Sequence, residues 1–396
     1  MSDDSLQMTS ATKALPVDAQ DKDDRFAVLI HDITQAFTRG EDVVRQLDQL
    51  APLLVSIDPK DTDANLQSAR CLIKLFRAIH RSDSCLPKMA EIGSQFLQWM
   101  QLPTITTLHA QVVEACYHSR QWDNGTRVID RRLKLGASKD DLFGVHTFLR
   151  YHYYAALTLL ATQSYDAAEH YLLMCLVAPT AIANDLQVKA YRKLFLTRLI
   201  TQGAELQLPQ IVPPAIQALP GALNNVYVLF GREYVKYNLA AARDYLYGNE
   251  AVFAKYGDGD LVSKAVDAIP RHLLKRISQI YTRQPVSDIV KLLKLPVTVE
   301  HCTMVYQLVQ QMVHEQVFRA EIQQGDDYST MVVSFASTQL AKSSLSPASS
   351  DKPSSDNLPE TTAFAEINRV QALLQTVEVQ CQRVVQRTPM VTLTSA

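Results

Sequence analysis

A histidine followed directly by a glutamate is how a zinc-peptidase helix begins, and the chain has that pair once, at His314-Glu315. The chemistry needs a second imidazole one helical turn on, so that two ring nitrogens on one face hold the metal while the carboxylate takes a proton from water. Phe318 stands in that place. None of the ten histidines forms a His-x-His pair. The glycine-rich signatures of phosphate loops and dinucleotide folds are missing, as is the nucleophile elbow GxSxG. YGDGDL, Tyr256 to Leu261, sets two aspartates beside glycines but lacks the spaced ligands of a calcium loop, and it reads as a turn between helices. Asn124-Gly125-Thr126 has the form of a glycosylation acceptor and reads as a turn before a helix. No catalytic residue, metal site or cofactor is expected.

With chemistry unsupported, binding remains, and composition narrows the partner. The 396 residues carry a formal net charge of −2 and are 47% hydrophobic, 20% charged and poor in glycine, with 12. That composition favours long helices over many short strands. Nucleic-acid binders concentrate positive charge. The longest basic run here is RRLK, Arg131 to Lys134, which suits a solvated helix face. No stretch approaches the ~18 consecutive apolar residues of a membrane span, so no membrane partner is expected. The opening MSDDSLQMTS is acidic and polar, unlike a secretory signal. Residues 1–24 read as a disordered acidic tail. The cysteines, Cys71, Cys85, Cys116, Cys175, Cys302 and Cys381, are scattered without CxxC spacing. They read as unpaired, mostly buried thiols of a reduced intracellular protein.

From 25 to 260 the chain is helix after helix. Phe26, Ile30, Ile33 and Phe37 recur at helical spacing, as do Leu66, Leu72, Phe76 and Ile79. Short polar breaks such as DPKDTD and SRQWDNG separate the runs, the arrangement of stacked antiparallel helix pairs. One pair fits the tetratricopeptide (TPR) pattern, with Tyr151, Tyr154 and Ala155 on its first helix and Ala167, Tyr171 and Pro179 on its second. The fold class is therefore mainly α: a right-handed solenoid of degenerate TPR-like repeats, in which each pair leaves an apolar face that its neighbour covers.

The last part of the array changes character. Between 261 and 336, DIVKLL is bounded by Pro285 and Pro296 and is followed by TVEHCTMVYQLVQQMVH, a helix-turn-helix. Ser287 and Thr298 are the candidate N-caps. VFRAEI and MVVSF then alternate: Phe318, Ala320 and Ile322 face one way, Arg319 and Glu321 the other. Two strands after such helices make a β-hairpin wing, and the segment reads as a winged helix. Its second helix would bury Cys302, Val305, Tyr306, Val309 and Met312. The remaining surface of Glu300, His301, Gln307, Gln310, Gln311 and His314 contains no Lys or Arg, so it is poorly suited to a DNA groove. Residues 337–361 are a Ser/Pro-rich linker, 362–388 a further helix and 389–396 a tail. In that helix Ile367, Val370, Leu374, Val377, Cys381 and Val384 make an a/d seam.

Helical repeats running into a winged helix resemble PCI-domain proteins, the scaffold subunits of the proteasome lid, the COP nine signalosome and a translation initiation factor. Three stretches carry the resemblance: YHYYAALTLLATQSYDAAEHYLLMCLVAP, TAIANDLQVKAYRKLFLTRLITQG, and the winged helix ending in MVVSF. The pattern of Tyr281, Arg283, Ser287, Asp288 and Ile289 is shared with the proteasome-lid branch, whereas TAIANDLQVKAYRK and MVVSF are similar to the signalosome branch. The resemblance implies a non-catalytic scaffold, cytoplasmic and nuclear, in a complex that strips a ubiquitin-like modifier from cullins using zinc in another subunit. Its partners would be other PCI and metalloprotease-like subunits and, indirectly, cullin-RING ligases. It implies edge-to-edge contact through wing strands, here Phe318, Ile322, Met331, Val332, Val333 and Phe335 with MVVSF as an edge strand, and a helical bundle formed by the 367–384 seam. A proteasome-lid scaffold and a free winged-helix regulator that binds nucleic acid stay as alternatives.

Overall fold

The computed structural model describes residues 17–55, 62–79, 82–100, 105–129, 144–180, 182–219, 225–323, 325 and 330–336. The linker 337–361, the helix 362–388 with its seam, the tail 389–396 and the RRLK run lie outside the described residues. Helix α1 (Val17–Thr38) begins inside the stretch 1–24 expected as a tail. The described residues divide into two compact units, one ending at Thr162 and the other beginning at Gln163.

The first unit contains α1, α2 (Val44–Leu47), α3 (Leu50–Val55), α4 (Thr62–Ile79), α5 (Leu86–Met100), α6 (Thr107–His118), α7 (Trp122–Val128) and α8 (Val145–Ala161). Helix α1 packs on α4, α5 on α6, and α6 on α8. Phe26, Ile30 and Ile33 are buried as their spacing predicts, and Ala36, not Phe37, completes the stripe. Asn124, Gly125 and Thr126 lie within α7, not in a turn. Gly125 is needed there, because a Cβ would sit 2.9 Å from Thr158 on α8. At the head of α6 the Thr106 N–H donates to Nδ1 of His109 at 3.2 Å. His109 is buried with its ring edge toward Tyr151, and burial pushes its pKa down to about 4.

The two helices that matched the TPR pattern fall on opposite sides of the division. Tyr151 and Ala155 are buried in α8, which packs within the first unit against α6 and α7. Tyr171 is buried in α9 (Tyr165–Val177), which packs within the second against α10 (Asp185–Gln202). Small and aromatic residues at those offsets permit close helix approach but do not name the neighbour.

The second unit continues with α11 (Pro214–Gln217), α12 (Asn225–Tyr234), α13 (Leu239–Gly248), α14 (Glu250–Lys255) and α15 (Gly259–Ile280). Thr180, Asn184 and Gln187 of TAIANDLQ join α9 to α10. Asn184 caps α10 by accepting from Leu186 N–H, while the fully buried Gln187 accepts from Asn184 N–H at 3.0 Å and from the Thr180 hydroxyl at 2.8 Å. The Gln187 amide donates to the carbonyls of Cys175 and Ala178, which the end of α9 leaves without helical partners. At the other end of α10, Tyr234 donates to the Leu199 carbonyl at 2.9 Å and His272 Nε2 lies 2.8 Å from the Ile200 carbonyl. Gly203 ends the helix at φ +68°, where a Cβ would lie 2.5 Å from the His272 ring.

YGDGDL is a turn only at Tyr256 and Gly257; Gly259, Asp260 and Leu261 already belong to α15, and Asp260 is exposed whereas Asp258 is not. Asp258 is 1% exposed. It accepts from the Tyr227 hydroxyl and pairs with Lys193 Nζ at 2.6 Å, and Lys193 also donates to the Gly257 carbonyl. Arg192 lies 3.7 Å over the ring of Tyr256. This cluster joins α10 to α12 and to the start of α15. Removing one partner strands a buried charge, at a cost of about 3–5 kcal/mol. Asp258→Ala should therefore lower hydrogen-exchange protection in α10 and α15 of the full chain, and the paired change Lys193→Met with Asp258→Leu should recover most of it. Unchanged protection in Asp258→Ala would contradict the assignment.

His109 gives a pH dependence. Its folded pKa lies below the usual histidine value of 6.5. Between pH 6.5 and about 4 the unfolded chain binds more protons, so stability is complete above 6.5 and declines as pH falls through that window. At about 1.4 kcal/mol per unit the decline is on the order of 3 kcal/mol. Urea midpoints measured across this range should flatten in His109→Gln, which has an acceptor for Thr106 and no proton to gain. An unchanged slope would refute this role for the imidazole.

Candidate partner-binding site

The winged helix is built from α15, β1 (Arg283–Pro285), α16 (Val286–Leu292), α17 (Val299–His314), β2 (Ala320–Gln323) and β3 (Val332–Phe335). Thr298 caps α17, its hydroxyl accepting from His301 N–H. Ser287 does not cap α16, which already begins at Val286 behind Pro285. Cys302, Val305, Val309 and Met312 form the buried stripe of α17, and Tyr306 is half-buried.

The sheet differs from the expected hairpin. It has three strands in the order β1-β3-β2, all antiparallel. The MVVSF strand is therefore the central strand, not an edge, because β1 occupies its second side. Met331 lies just before β3, its carbonyl accepting from Val286 N–H, and Phe318 lies just before β2. The alternation holds: Val333 and Phe335 are buried, while Val332, Ser334 and Ile322 are half-buried. Phe318 meets Phe335 edge-to-face at 5.4 Å. On the opposite face Arg283 reaches across β3 to β2, donating to the Ser334 hydroxyl and to the Gln323 side chain. The strand β1 was not expected from the sequence. Its one signal is Pro285, which biases Gln284 toward extended backbone.

The two edges are chemically unequal. Ala336 N–H donates to the Arg319 carbonyl, so antiparallel alternation gives the inward bonds to Glu321 and Gln323 and turns the N–H and C=O of Ala320 and Ile322 outward. On the other side, Phe335 N–H donates to Thr282 and Val286 N–H to Met331. That turns Arg283 and Pro285 outward, and Pro285 has no N–H to offer. Proline and a three-residue length blunt the β1 edge, whereas among the described residues nothing pairs with the outer donors and acceptors of β2. Of the wing residues named from the sequence, Ile322 alone lies on this open edge.

Three of the cations nearby are engaged. Arg271 on α15 pairs with Glu315 and holds its carboxyl below the usual range. Lys291 pairs with Asp288 at 2.9 Å. Arg276 lies over the Tyr237 ring. Glu300, Gln307, Gln310, Gln311 and His314 are exposed on α17 and His301 is half-buried, a surface without a cation. Exposed apolar side chains occur instead at the turn between α16 and α17, namely Leu292, Val297 and Val299. His314-Glu315 sits at the end of α17 with its glutamate held by Arg271 and Gln311. Among the described residues no cluster of three His, Cys, Asp or Glu side chains could hold a metal ion, and no helix is long and apolar enough to cross a membrane. Among the described residues Cys71, Cys85, Cys116, Cys175 and Cys302 form no disulfide, and Cys381 lies outside the described residues.

Residues 93–216 match the family model described as COP9 signalosome complex subunit 3, N-terminal helical repeats. Residues 239–333 match the PCI domain, from the first residue of α13 into β3. Among curated proteins the chain is similar to COP9 signalosome complex subunit 3 of Dictyostelium discoideum, 21% identical over 223 residues that cover 56% of this chain and 52% of that protein. The subunit of the same name in Arabidopsis thaliana is 23% identical over 208 residues, 52% of this chain and 47% of that protein. That of Emericella nidulans is 21% identical over 144 residues, 36% and 29%. The matches span about half the length of the first two relatives. The resemblance to PCI-domain proteins, and within them to the signalosome branch, is borne out, as is a mainly helical fold of repeats followed by a winged helix.

Proposed function

We propose that this chain is a non-catalytic scaffold subunit of a COP9 signalosome, cytoplasmic and nuclear, holding other PCI and metalloprotease-like subunits so that the assembly can remove a ubiquitin-like modifier from cullins and so regulate cullin-RING ligases. The observation that carries the reading is the unequal sheet of the winged helix: a blunted β1 edge and an open β2 edge beside a helix α17 without cations. Such an edge takes a partner strand through main-chain hydrogen bonds. The matches to the PCI domain and to subunit 3 relatives support the same reading, and the lack of any Lys or Arg on α17 weighs against a nucleic-acid regulator. The seam from Ile367 to Val384 supplies a second contact, with six apolar positions whose burial in a helical bundle would contribute several kcal/mol at about 25 cal/mol per Å².

Ala320→Pro removes an N–H that points outward and takes no bond from the sheet itself. It should leave the melting temperature of the purified chain within a few degrees of wild type, yet reduce the recovery of partner subunits with the tagged chain at least several-fold. Full recovery of partners with an intact fold would rule out the β2 edge as the docking strand.

A further inference from the structure

Among the described residues the outer side of β2 has no strand beside it, and a strand edge of that kind pairs with whatever strand reaches it. We propose that in the free protein residues 390–394 of this same chain, MVTLT, pair along β2 as a fourth strand, and that a partner subunit must displace them to dock. This guard presupposes that β2 is the docking edge and adds how the edge is covered until a partner arrives.

The pattern of β2 selects its cover. Ala320 pairs with Phe335 and Ile322 with Val333, so these four side chains share one face of the sheet. Val333 and Phe335 are buried, whereas Ala320 and Ile322 are only half-buried. The apolar face is therefore unfinished on the β2 side. Glu321 and Gln323, on the other face, are exposed. A strand that completes the sheet needs two apolar side chains two positions apart, with polar side chains at the alternate positions. Val391 and Leu393 supply the first and Thr392 and Thr394 the second, in a run without charge. Valine and threonine also favour extended backbone. Pro389 stands just ahead of the run, where a strand tolerates proline. The rest of the chain after β3 suits the edge less well. Residues 337–361 are rich in Ser and Pro, and the seam from Ile367 to Val384 is spaced for a helix. Reach is not limiting. Ala336 lies at the end of β3, beside β2, and Met390 follows 54 positions later (390 − 336 = 54). At about 3.3 Å per extended residue such a length can turn back many times over, and the entropy of closing a loop rises only with the logarithm of its length. A strand tethered in this way competes from a high effective concentration, so a partner has to bring further contacts to take its place.

The test is hydrogen exchange of the purified full chain, without partners, read at single residues by mass spectrometry with electron-transfer fragmentation. The amides of Ala320 and Ile322 point away from β3, so only an added strand protects them. Two variants of the full chain are compared with wild type, Val391→Pro and Thr392→Pro. Successive residues of a strand turn their N–H groups to opposite edges, so one of the two prolines must remove a bond to β2. In wild type Ala320 and Ile322 should be protected. In at least one variant they should exchange at least tenfold faster, while Glu321 and Gln323, bonded inward to β3, keep their wild-type rates and show that the sheet is intact. Adding the synthetic peptide TPMVTLTSA to that variant should restore the protection. The proposal is overturned if Ala320 and Ile322 exchange freely in wild type, or if both prolines leave their protection unchanged. It is also overturned if the protection rises with protein concentration, which would assign the cover to a second copy of the chain. None of these results depends on partner subunits, so failure of the guard is distinguished from failure of the docking edge, which the recovery of partners with Ala320→Pro reads separately.

Discussion

The second unit depends on one buried carboxylate. Asp258 has almost no contact with water, and an ion in that position is stable only if its charge and lone pairs are met by neighbours. Lys193 meets its charge and Tyr227 donates to one of its oxygens, and these residues come from α10 and α12. The carboxylate therefore holds the beginning of α15 against α10. The far end of α10 is closed by Tyr234 and His272, the latter also from α15. Polar groups thus tie the first helix of the winged helix to the repeats at two places along α10, while the apolar residues between them supply bulk attraction without register. Desolvation lowers the pKa of His272.

From that anchor the geometry of the sheet follows. Because α15 is fixed, β1 leaves its end directly, pairs with β3 and puts Pro285 at the outer edge. The hydrophobic strand expected at the margin is thereby moved to the middle, with Val333 and Phe335 buried. The open edge passes to β2, whose residues AEIQ look less like a docking strand because the affinity of a strand edge lies in its backbone, not its side chains. The identity of the exposed strand is set by what pairs on the other side of β3.

Periodic features were legible in the sequence, and partnered ones were not. The buried stripe of α17, the Thr298 cap and the alternation of Phe318, Ala320 and Ile322 each depend on residues close together in the chain, so spacing alone finds them. The position of β1 depends on β3, which is distant in sequence, and RQP carries no strand propensity. Asp258 in YGDGDL looked like an ordinary turn aspartate, since residue type does not reveal burial and Lys193 stands in another helix. The Asn184 and Gln187 pair lay within a stretch singled out for resemblance, yet its task, joining the end of α9 to the start of α10, required the fold.

Whether these tied helices and this open edge serve an assembly is decided most directly by native mass spectrometry of the tagged full chain purified from its own cells, with a cullin-deconjugation assay on the same sample. The scaffold account predicts an assembly of several subunits that includes a metalloprotease-like chain and has zinc-dependent deconjugating activity. A lone chain or a homodimer without that activity would contradict it.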